Sequence, residues 1–185
     1  IKNRGVIDLR KDKETNLFKI TDNKGSEYFS KFVILCTGVM DVQPEINGSI
    51  ETIFPYSNVQ LADYCLRCDG HHVYKKDLSI LGHNNGAAWV AIMLYERYQC
   101  PKVDILTNGK KAEFSDETMT LIRQYKINVY EDRIVNIKGS ADQKVLEGYF
   151  LNNGKFISSQ ITFISLGMIV YNDLAKMVGA QLDDR

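Results

Sequence analysis

One sequence pattern occurs twice in the chain, and this internal repeat constrains the fold more than any other feature. An Asn-x-Gly turn at residues 23–25 precedes the apolar run Phe-Val-Ile-Leu-Cys-Thr-Gly at 32–38. A second such turn at 152–154 precedes Ile-Thr-Phe-Ile-Ser-Leu-Gly at 161–167. The two copies align without a gap at an offset of 129 residues, which pairs Gly25 with Gly154 and Gly38 with Gly167.

Short alternations of apolar and polar residues precede each turn, as is typical of half-buried strands. They lie at 6–9 and 17–20 in the first copy and at 134–137 and 148–151 in the second. Each copy is therefore predicted to form three short strands joined by tight turns, followed by a buried strand that ends in glycine.

A segment of alternating strands and helices precedes the second copy and has no counterpart before the first. It predicts a strand at 78–81, a helix from about 86 to 97, a strand at 103–106, a helix after the N-cap Ser115, and a strand at 127–130. Such an alternation forms a βαβαβ unit with a parallel sheet. The predicted fold class is α/β, with a Rossmann-like dinucleotide-binding domain made of a parallel sheet and a β-meander.

The repeat also predicts how the chain divides. Residues 65–165 are expected to be the dinucleotide-binding domain. Residues 1–64 would be part of a second domain, with its meander, the Cys-Thr-Gly element and a linker, and residues 166–185 would return to it. By symmetry that second domain needs its own βαβαβ unit, so the chain is expected to be a fragment of a longer protein.

The segment after the strand at 78–81 has the pattern of a dinucleotide-binding turn. It consists of Gly82, His83, Asn84, Asn85, Gly86 and Ala87. In such turns, glycines let the backbone approach a pyrophosphate that sits at the N-terminus of the following helix. The first glycine is in place and Ala87 suits the third position, whereas Asn84 stands where the second glycine is usual.

The end of the next strand carries Thr107 and Asn108, the remaining candidates for this nucleotide site. They supply neither the acid that holds a ribose 2′-hydroxyl nor an arginine for a 2′-phosphate. Lys110 and Lys111 follow directly and are the nearest cations for NADP. The sequence leaves the choice between NADPH and NADH open.

A Cys-x-x-Cys motif, Cys65 and Cys68, precedes the first strand of the complete domain and is followed by Asp69. Three interpretations remain open. The two thiols can form a redox-active disulfide, with Arg67 favouring the thiolate and Asp69 exchanging protons. They can bind a metal together with His71 or His72, although a fourth ligand is missing. They can also be inert cysteines.

Charge and composition exclude other classes of function. The 23 basic and 23 acidic side chains balance, and no basic cluster is longer than a pair of lysines, so a nucleic-acid partner is not expected. No apolar run reaches the roughly 20 residues of a membrane span, and no signal peptide is recognisable. Four cysteines are too few for a secreted disulfide scaffold of this length, so a cytoplasmic protein is expected.

Taken together, these motifs resemble the low-molecular-weight thioredoxin reductases and related flavin-dependent disulfide oxidoreductases. In that family a Cys-x-x-Cys-Asp-Gly motif precedes the first strand of the NADPH domain, at the interval that separates Cys68 from Gly82 here. Residues 36–38 are similar to the family's Ala-Thr-Gly element. Gly167 and Asn172 are similar to the glycine and asparagine of the family's segment that leads back into the flavin domain. The resemblance covers essentially the whole chain.

The resemblance implies an oxidoreductase that passes electrons from NADPH or NADH through FAD to a Cys65–Cys68 disulfide. The reduced pair would then reduce a thioredoxin-like protein or a small-molecule disulfide. Cys68 would face the flavin, Cys65 would be the more accessible thiol, and Asp69 would be the acid and base. Thr37, Gly38 and Gly167 would contact FAD, no metal is implied, and the full-length protein would be a homodimer.

Three departures from the family pattern keep two other functions open. The family's His-Arg-Arg motif is replaced at 107–109, Asn84 replaces a glycine, and the flavin domain's own glycine-rich elements are absent from these 185 residues. The fragment alone is therefore expected to be inactive. The alternatives are a degenerate nucleotide-binding module whose cysteines are structural or bind metal, and a flavin oxidoreductase with a donor other than NADPH.

Overall fold

The structure is a computed structural model and describes residues 3–183. The strands are β1 (Val6–Lys11), β2 (Phe18–Asp22), β3 (Glu27–Ser30), β4 (Val39–Asp41), β5 (Ala62–Asp63), β6 (Leu78–Leu81), β7 (Val103–Leu106), β8 (Asn128–Tyr130), β9 (Ile134–Gly139), β10 (Leu146–Leu151), β11 (Phe156–Ser158), β12 (Ile161–Ile164) and β13 (Met168–Val170). The helices are α1 (Phe54–Ser57), α2 (Leu66–Asp69), α3 (Asn85–Tyr98), α4 (Asp116–Gln124) and α5 (Asp173–Met177). Short 3₁₀ turns span Glu51–Ile53 and Gly70–Val73.

The described chain divides into two compact units. One comprises residues 41–167, and the other comprises residues 3–40 together with 168–183. The first unit begins before the expected boundary at 64/65, because Ile46, Ile53 and Tyr56 are buried in its core.

The larger unit is built on a five-stranded parallel sheet in the order β5-β12-β6-β7-β8. Alternate residues of its central strands face two different cores. Ile80, Ile105 and Phe163 pack with α3 and α4 on one face. The residue after each, such as Leu81, packs against the meander on the other face. The sheet is therefore covered on both sides, which explains strands whose every residue is buried.

The predicted elements of this unit are confirmed. Helix α3 begins after Asn84, whose side chain accepts a hydrogen bond from the amide of Ala87. Helix α4 begins after the predicted N-cap Ser115, whose Oγ accepts from the amide of Thr118. Strands β9, β10 and β11 form the expected antiparallel meander. The α/β fold with a Rossmann-like parallel sheet and a meander is thus observed as the sequence predicts.

The smaller unit contains the first meander, in which β1, β2 and β3 pair antiparallel in chain order. Leu9 is its buried apolar residue, and α5 packs against β1. Strands β4 and β13 form a separate two-stranded sheet.

Two expectations for the fold are wrong. Residues 32–38 do not form a buried strand, and the side chains of Phe32 and Ile34 are 83% and 86% exposed. A strand needs a neighbour for its backbone hydrogen bonds, and the part of the chain described here places none beside this segment. The linker at 39–64 is also more structured than expected, because it forms α1 and β5, and β5 pairs with β12 at the edge of the sheet.

Candidate functional site

Cys65 and Cys68 form a disulfide at the start of α2, with their Cα atoms 5.2 Å apart. Cys65 is the N-cap of this helix, and its Sγ accepts a hydrogen bond from the amide of Cys68 at 3.2 Å. The amide of Asp69 donates to the Cys65 carbonyl at 2.8 Å. The Cys65 sulfur is therefore the one that a backbone amide contacts directly.

The exposure of the two cysteines is the reverse of what the resemblance implies. Cys68 is exposed and Cys65 is half-buried, because Cys65 is turned towards the helix that it caps. Of the other cysteines, Cys36 is exposed, and Cys100 is buried with the pKa of its thiol raised to about 11 by desolvation. Cys65 and Cys68 are therefore the cysteines that the fold brings together.

Metal binding by the cysteine motif has no support in the described residues. Between residues 3 and 183, no group of three or more His, Cys, Asp and Glu side chains is arranged to hold a metal ion. His72 instead contacts a carboxylate, with its Nδ1 3.0 Å from Asp63 Oδ2.

The turn after β6 has the close backbone packing of a dinucleotide-binding turn. A Cβ on Gly82 would lie 2.5 Å from the Cβ of Ala87 and 2.5 Å from the carbonyl oxygen of Ser165, so only glycine fits. This brings the start of α3 against the ends of both β6 and β12. The order of the strands reverses between these two strands, and such a switch point is where parallel α/β sheets bind ligands.

Two polar groups of the turn have no hydrogen-bond partner in the described part of the chain. Nδ1 of His83 is buried and has no hydrogen-bond partner within the described chain. The backbone amide of Gly86, in the first turn of α3, also lacks a partner among the described residues, whereas the amide of Asn85 belongs to the parallel bridge between Asn84 and Glu113. The exposed amide of Gly86 at the helix N-terminus suits a phosphate, whereas the His83 nitrogen is shielded inside the turn.

The two asparagines of the turn are already engaged. Asn84 Oδ1 accepts from the amide of Ala87 at 3.0 Å and thereby occupies one donor that a phosphate would use. Asn85 Oδ1 accepts two hydrogen bonds from the start of α4. One comes from the backbone amide of Ser115 at 2.9 Å, and the other comes from the hydroxyl of Thr118 at 2.6 Å. Asn85 therefore ties the turn to α4, and Gly86 stays exposed above them.

A cavity of about 410 Å³ opens at the ends of β6, β7 and β12. Its wall includes Gly82, Thr107 and Asn108, so it joins the two predicted parts of the nucleotide site. It also includes residues that sequence reasoning did not select, namely Glu45, Arg133 and Leu166. Lys110 and Arg133 on this wall form no ion pair with any described residue, which leaves two cations facing one carboxylate.

Thr107 and Asn108 shape the wall of this cavity through their hydrogen bonds. The Thr107 hydroxyl donates to the Lys110 carbonyl. The side-chain Nδ2 of Asn108 donates to the Glu45 carbonyl at 2.8 Å, and its Oδ1 accepts from the backbone amide of Ile134 at 2.9 Å. Asn108 thus holds loops together rather than leaving its side chain free for a ribose.

The remaining predicted contacts lie in different units. Thr37 and Gly38 belong to the smaller unit, where the Thr37 hydroxyl donates to the Tyr171 carbonyl at 2.5 Å. Gly167 belongs to the larger unit, and its carbonyl accepts from the amide of Val42 at 3.0 Å. Gly38 and Gly167 both have a positive φ, +70° and +95°. The described part of the smaller unit contains no strand–turn–helix of the glycine-rich type, so a flavin pyrophosphate has no turn to bind there.

Two features of the site had no usable signal in the sequence. Arg133 lies in a short connection before β9 and lines the cavity, and it packs closely against Gly109, where an added Cβ would lie 3.3 Å from the Arg133 Cβ. The contact between Asp63 and His72 depends on β5, which the sequence does not reveal. Both are consequences of tertiary packing.

The fold is similar to thioredoxin reductases of known structure, as the sequence resemblance implies. The atypical thioredoxin reductase TRi from Desulfovibrio vulgaris Hildenborough is 28% identical, with a TM-score of 0.60. The thioredoxin reductase of T. acidophilum is 25% identical, with a TM-score of 0.69. The thioredoxin reductase TrxB from Bacillus anthracis is 22% identical, with a TM-score of 0.72. Each alignment covers 98% of this chain.

The chain spans 57% to 58% of the length of these three proteins. No protein-family model and no curated protein matches it. Within residues 3–183, no helix combines the length and the apolar character that crossing a bilayer requires. The comparisons therefore establish a thioredoxin reductase-like fold over the whole described chain.

Proposed function

We propose that this chain is part of a flavoprotein disulfide reductase in which the Cys65–Cys68 disulfide is the redox-active group. The observation that carries the proposal is the position of this disulfide at a helix N-terminus, in the same compact unit as a dinucleotide-type turn and cavity. The similarity to thioredoxin reductases supports the same reaction class. The structure thereby favours the redox interpretation of the motif over metal binding.

The chemistry of the cysteine pair is thiol–disulfide exchange. Once reduced, one sulfur attacks the substrate disulfide as a thiolate and displaces one substrate sulfur, which forms a mixed disulfide. The second sulfur then attacks this bond, restores Cys65–Cys68 and releases the substrate as a dithiol. Asp69, directly after Cys68, is the proposed proton donor and acceptor for the thiol that exchanges.

The proposed electron donor is a nicotinamide dinucleotide bound at the turn after β6. Gly82 permits the close approach of the backbone, and the free amide of Gly86 at the start of α3 suits the pyrophosphate. Lys110 and Arg133, which line the cavity, are the proposed partners of a 2′-phosphate, and their charge supports NADPH over NADH. Asn84 opposes binding, because it already occupies the amide of Ala87.

FAD enters the proposal through the resemblance, with Thr37, Gly38 and Gly167 as its expected contacts. It would supply two electrons to the disulfide. The described residues of the smaller unit form no pyrophosphate turn for it. A thioredoxin-like protein or a small disulfide as substrate, a homodimeric full-length protein and a cytoplasmic location belong to the same proposal.

The decisive experiment is to express the complete reading frame and measure disulfide reduction with NADPH or NADH. Cys65→Ser should reduce turnover at least 1,000-fold, of the order seen when a catalytic nucleophile is removed, while flavin content stays unchanged. Cys100→Ala is the matched control, because Cys100 is a free cysteine outside the pair and outside every predicted cofactor contact, and it should leave turnover intact. Retained turnover in Cys65→Ser would refute the disulfide mechanism.

A further inference from the structure

A groove of about 270 Å³ borders the disulfide, between α2 and α3 of the larger unit. Leu66 and Arg67 form one wall, and they are the two residues that the disulfide ring encloses between Cys65 and Cys68. The other wall consists of residues of α3, namely Met93, Leu94, Arg97 and Tyr98. A molecule bound in this groove would therefore contact the ring that carries the two sulfur atoms.

Packing between the two helices forms an apolar floor in this groove. Leu94 and Tyr98 are four residues apart on α3, so their side chains are neighbours. A Cβ on Gly70, directly after α2, would lie 3.5 Å from Leu94 Cδ2 and 3.5 Å from Tyr98 Cε2. Leu66 packs against the same core as Leu94. The fold therefore holds α2 against α3 and fixes the shape of the groove.

Two exposed arginines, Arg67 and Arg97, lie on opposite walls of the groove. Within residues 3–183, neither guanidinium group forms an ion pair. Arg97 lies over the ring of Tyr98, with Cζ 5.8 Å from the ring centroid. Met93 is four residues before Arg97 on α3 and is 42% exposed. Arginine, methionine and tyrosine are the residue types that protein interfaces favour over the rest of the surface.

The positive charge of the groove is local, because the whole chain has a formal net charge of zero. None of the described residues that line the groove is acidic. The neighbouring carboxylates have other contacts: Glu96 accepts a hydrogen bond from the Tyr125 hydroxyl, and Asp63 contacts His72. Asp69, on α2, forms no ion pair with a described residue. The groove is therefore complementary to a partner that supplies its own carboxylate.

The size of the groove restricts what can occupy it. Pockets that enclose small ligands measure about 300–1,000 Å³. This groove is slightly smaller, at about 270 Å³, and both of its arginines are exposed. It therefore suits one or two side chains of a longer polypeptide better than an enclosed small molecule.

We propose that this groove docks the substrate of the disulfide exchange, and that the substrate is a peptide segment with a carboxylate side chain beside its disulfide. The carboxylate pairs with Arg67 and Arg97, and an adjacent apolar side chain lies against Met93. In the exchange the reduced cysteine pair gives up two electrons and two protons and forms its S–S bond again. The substrate disulfide takes them up and becomes a dithiol. The inference rests on the proposed function in one respect, namely that the reduced pair exchanges with a substrate disulfide.

The test compares two peptides that each contain one internal disulfide and the same leucine. They differ only in the residues that flank the disulfide, which are glutamate in one peptide and glutamine in the other. The full-length protein is reduced with dithiothreitol, which becomes its cyclic disulfide, and the reductant is removed. Alkylation and peptide mass spectrometry then follow the return of the Cys65–Cys68 disulfide. At low ionic strength the acidic peptide should react about fivefold faster, as expected for exposed ion pairs.

The ratio of the two rates separates docking from the reactivity of the thiols. Arg67→Gln also changes the charge next to Cys68, but any effect on the thiolate is the same for both peptides and cancels in the ratio. Arg67→Gln combined with Arg97→Gln should lower the ratio to about one, and both exposed positions should tolerate the change. Raising the ionic strength from about 0.01 M to about 0.5 M should lower it as well, because salt screens exposed charges.

The matched control is Arg123→Gln, which removes an exposed arginine on α4 that does not line the groove and should leave the ratio unchanged. A ratio near one in the unaltered protein overturns the inference and indicates an uncharged or small disulfide as the substrate. A ratio that survives in the double variant, or that Arg123→Gln lowers equally, also overturns it. Exchange with neither peptide does the same, and absent turnover in that preparation refutes the proposed function as well. A preference for the acidic peptide without reductase turnover supports the groove and refutes the proposed function alone.

Discussion

The two copies of the repeat have the same turn but different strands after it. In the first copy the amide of Gly25 donates to the carbonyl of Asp22 at 2.9 Å, and in the second the amide of Gly154 donates to Leu151 at 2.9 Å. The two glycines have φ values of +78° and +84°. The local sequence is thus sufficient to form the same turn in two units whose remaining structure differs.

The segments that follow these turns behave differently. In the larger unit, β12 pairs with β5 and β6 and all four of its residues are buried. In the smaller unit, residues 32–38 have a similar apolar sequence but form no strand and are largely exposed. An apolar run therefore becomes a buried strand only where neighbouring strands supply hydrogen bonds and a covering layer.

The largest expected difference between the copies lies at Ile34 and Phe163, which the offset of 129 residues places at equivalent positions. Phe163 is 1% exposed, so Phe163→Ala should lower the free energy of unfolding by about 3–5 kcal/mol through lost burial and the cavity left behind. Ile34 is 86% exposed, and Ile34→Ala should change the free energy of unfolding by less than about 0.5 kcal/mol. Urea denaturation with hydrogen-exchange mass spectrometry resolves the two units. Equal losses at both positions would contradict the difference in burial.

The second difference is a buried charge that only the first turn contains. Burial alone would raise the pKa of Asp22, but the amides of Ser26 and Lys24 and the Arg4 guanidinium lower it to about 2. Because the folded value lies below the ordinary 3.8, the carboxylate stabilises the first meander fully above about pH 4. This stabilisation is lost as the pH falls towards 2. Leu151 occupies the equivalent place in the second copy and does not titrate.

An acid titration followed by NMR checks this difference. The amide of Ser26 should shift with a midpoint near 2, and Asp22→Asn should abolish the shift. The amide of Lys155, which donates to the neutral side chain of Asn153, should show no transition at that midpoint. A transition near 2 that survives in Asp22→Asn would mean that another carboxyl group controls the turn.

Much of the fold was predictable because its signals are local. The N-cap Ser115, the glycine turns and the apolar periodicity each act within a few residues, and the structure follows them. The exposed run at 32–38 and the short strand β5 were not predictable, because both depend on which strands are neighbours. The sequence pattern is the same whether or not a partner is present.

The residues of the candidate site also fall into two groups, those that a local motif predicts and those that only tertiary packing brings together. Cys65, Cys68 and Gly82 follow from motif spacing, and the structure gives each a specific geometry. The contributions of Arg133 and of the Asp63–His72 contact come from residues brought together by the sheet, with no motif to mark them. The roles of the site residues stay predictions until the cysteine variants are assayed.

The smallest expected effect is the one that the two copies should share. Gly25→Ala and Gly154→Ala each force an L-residue into the left-handed region, where the strain costs roughly 1–2 kcal/mol, and neither new methyl group would contact another atom within 4 Å. The two losses should therefore be equal despite the different burial of the strands that follow. Gly5→Ala is the control, because Gly5 has no positive φ and its Cβ would lie 3.9 Å from the nearest atom, Nδ2 of Asn23. A markedly larger loss at Gly154, measured by urea denaturation, would show that the packing of the second meander, and not the turn alone, determines the conformation of that glycine.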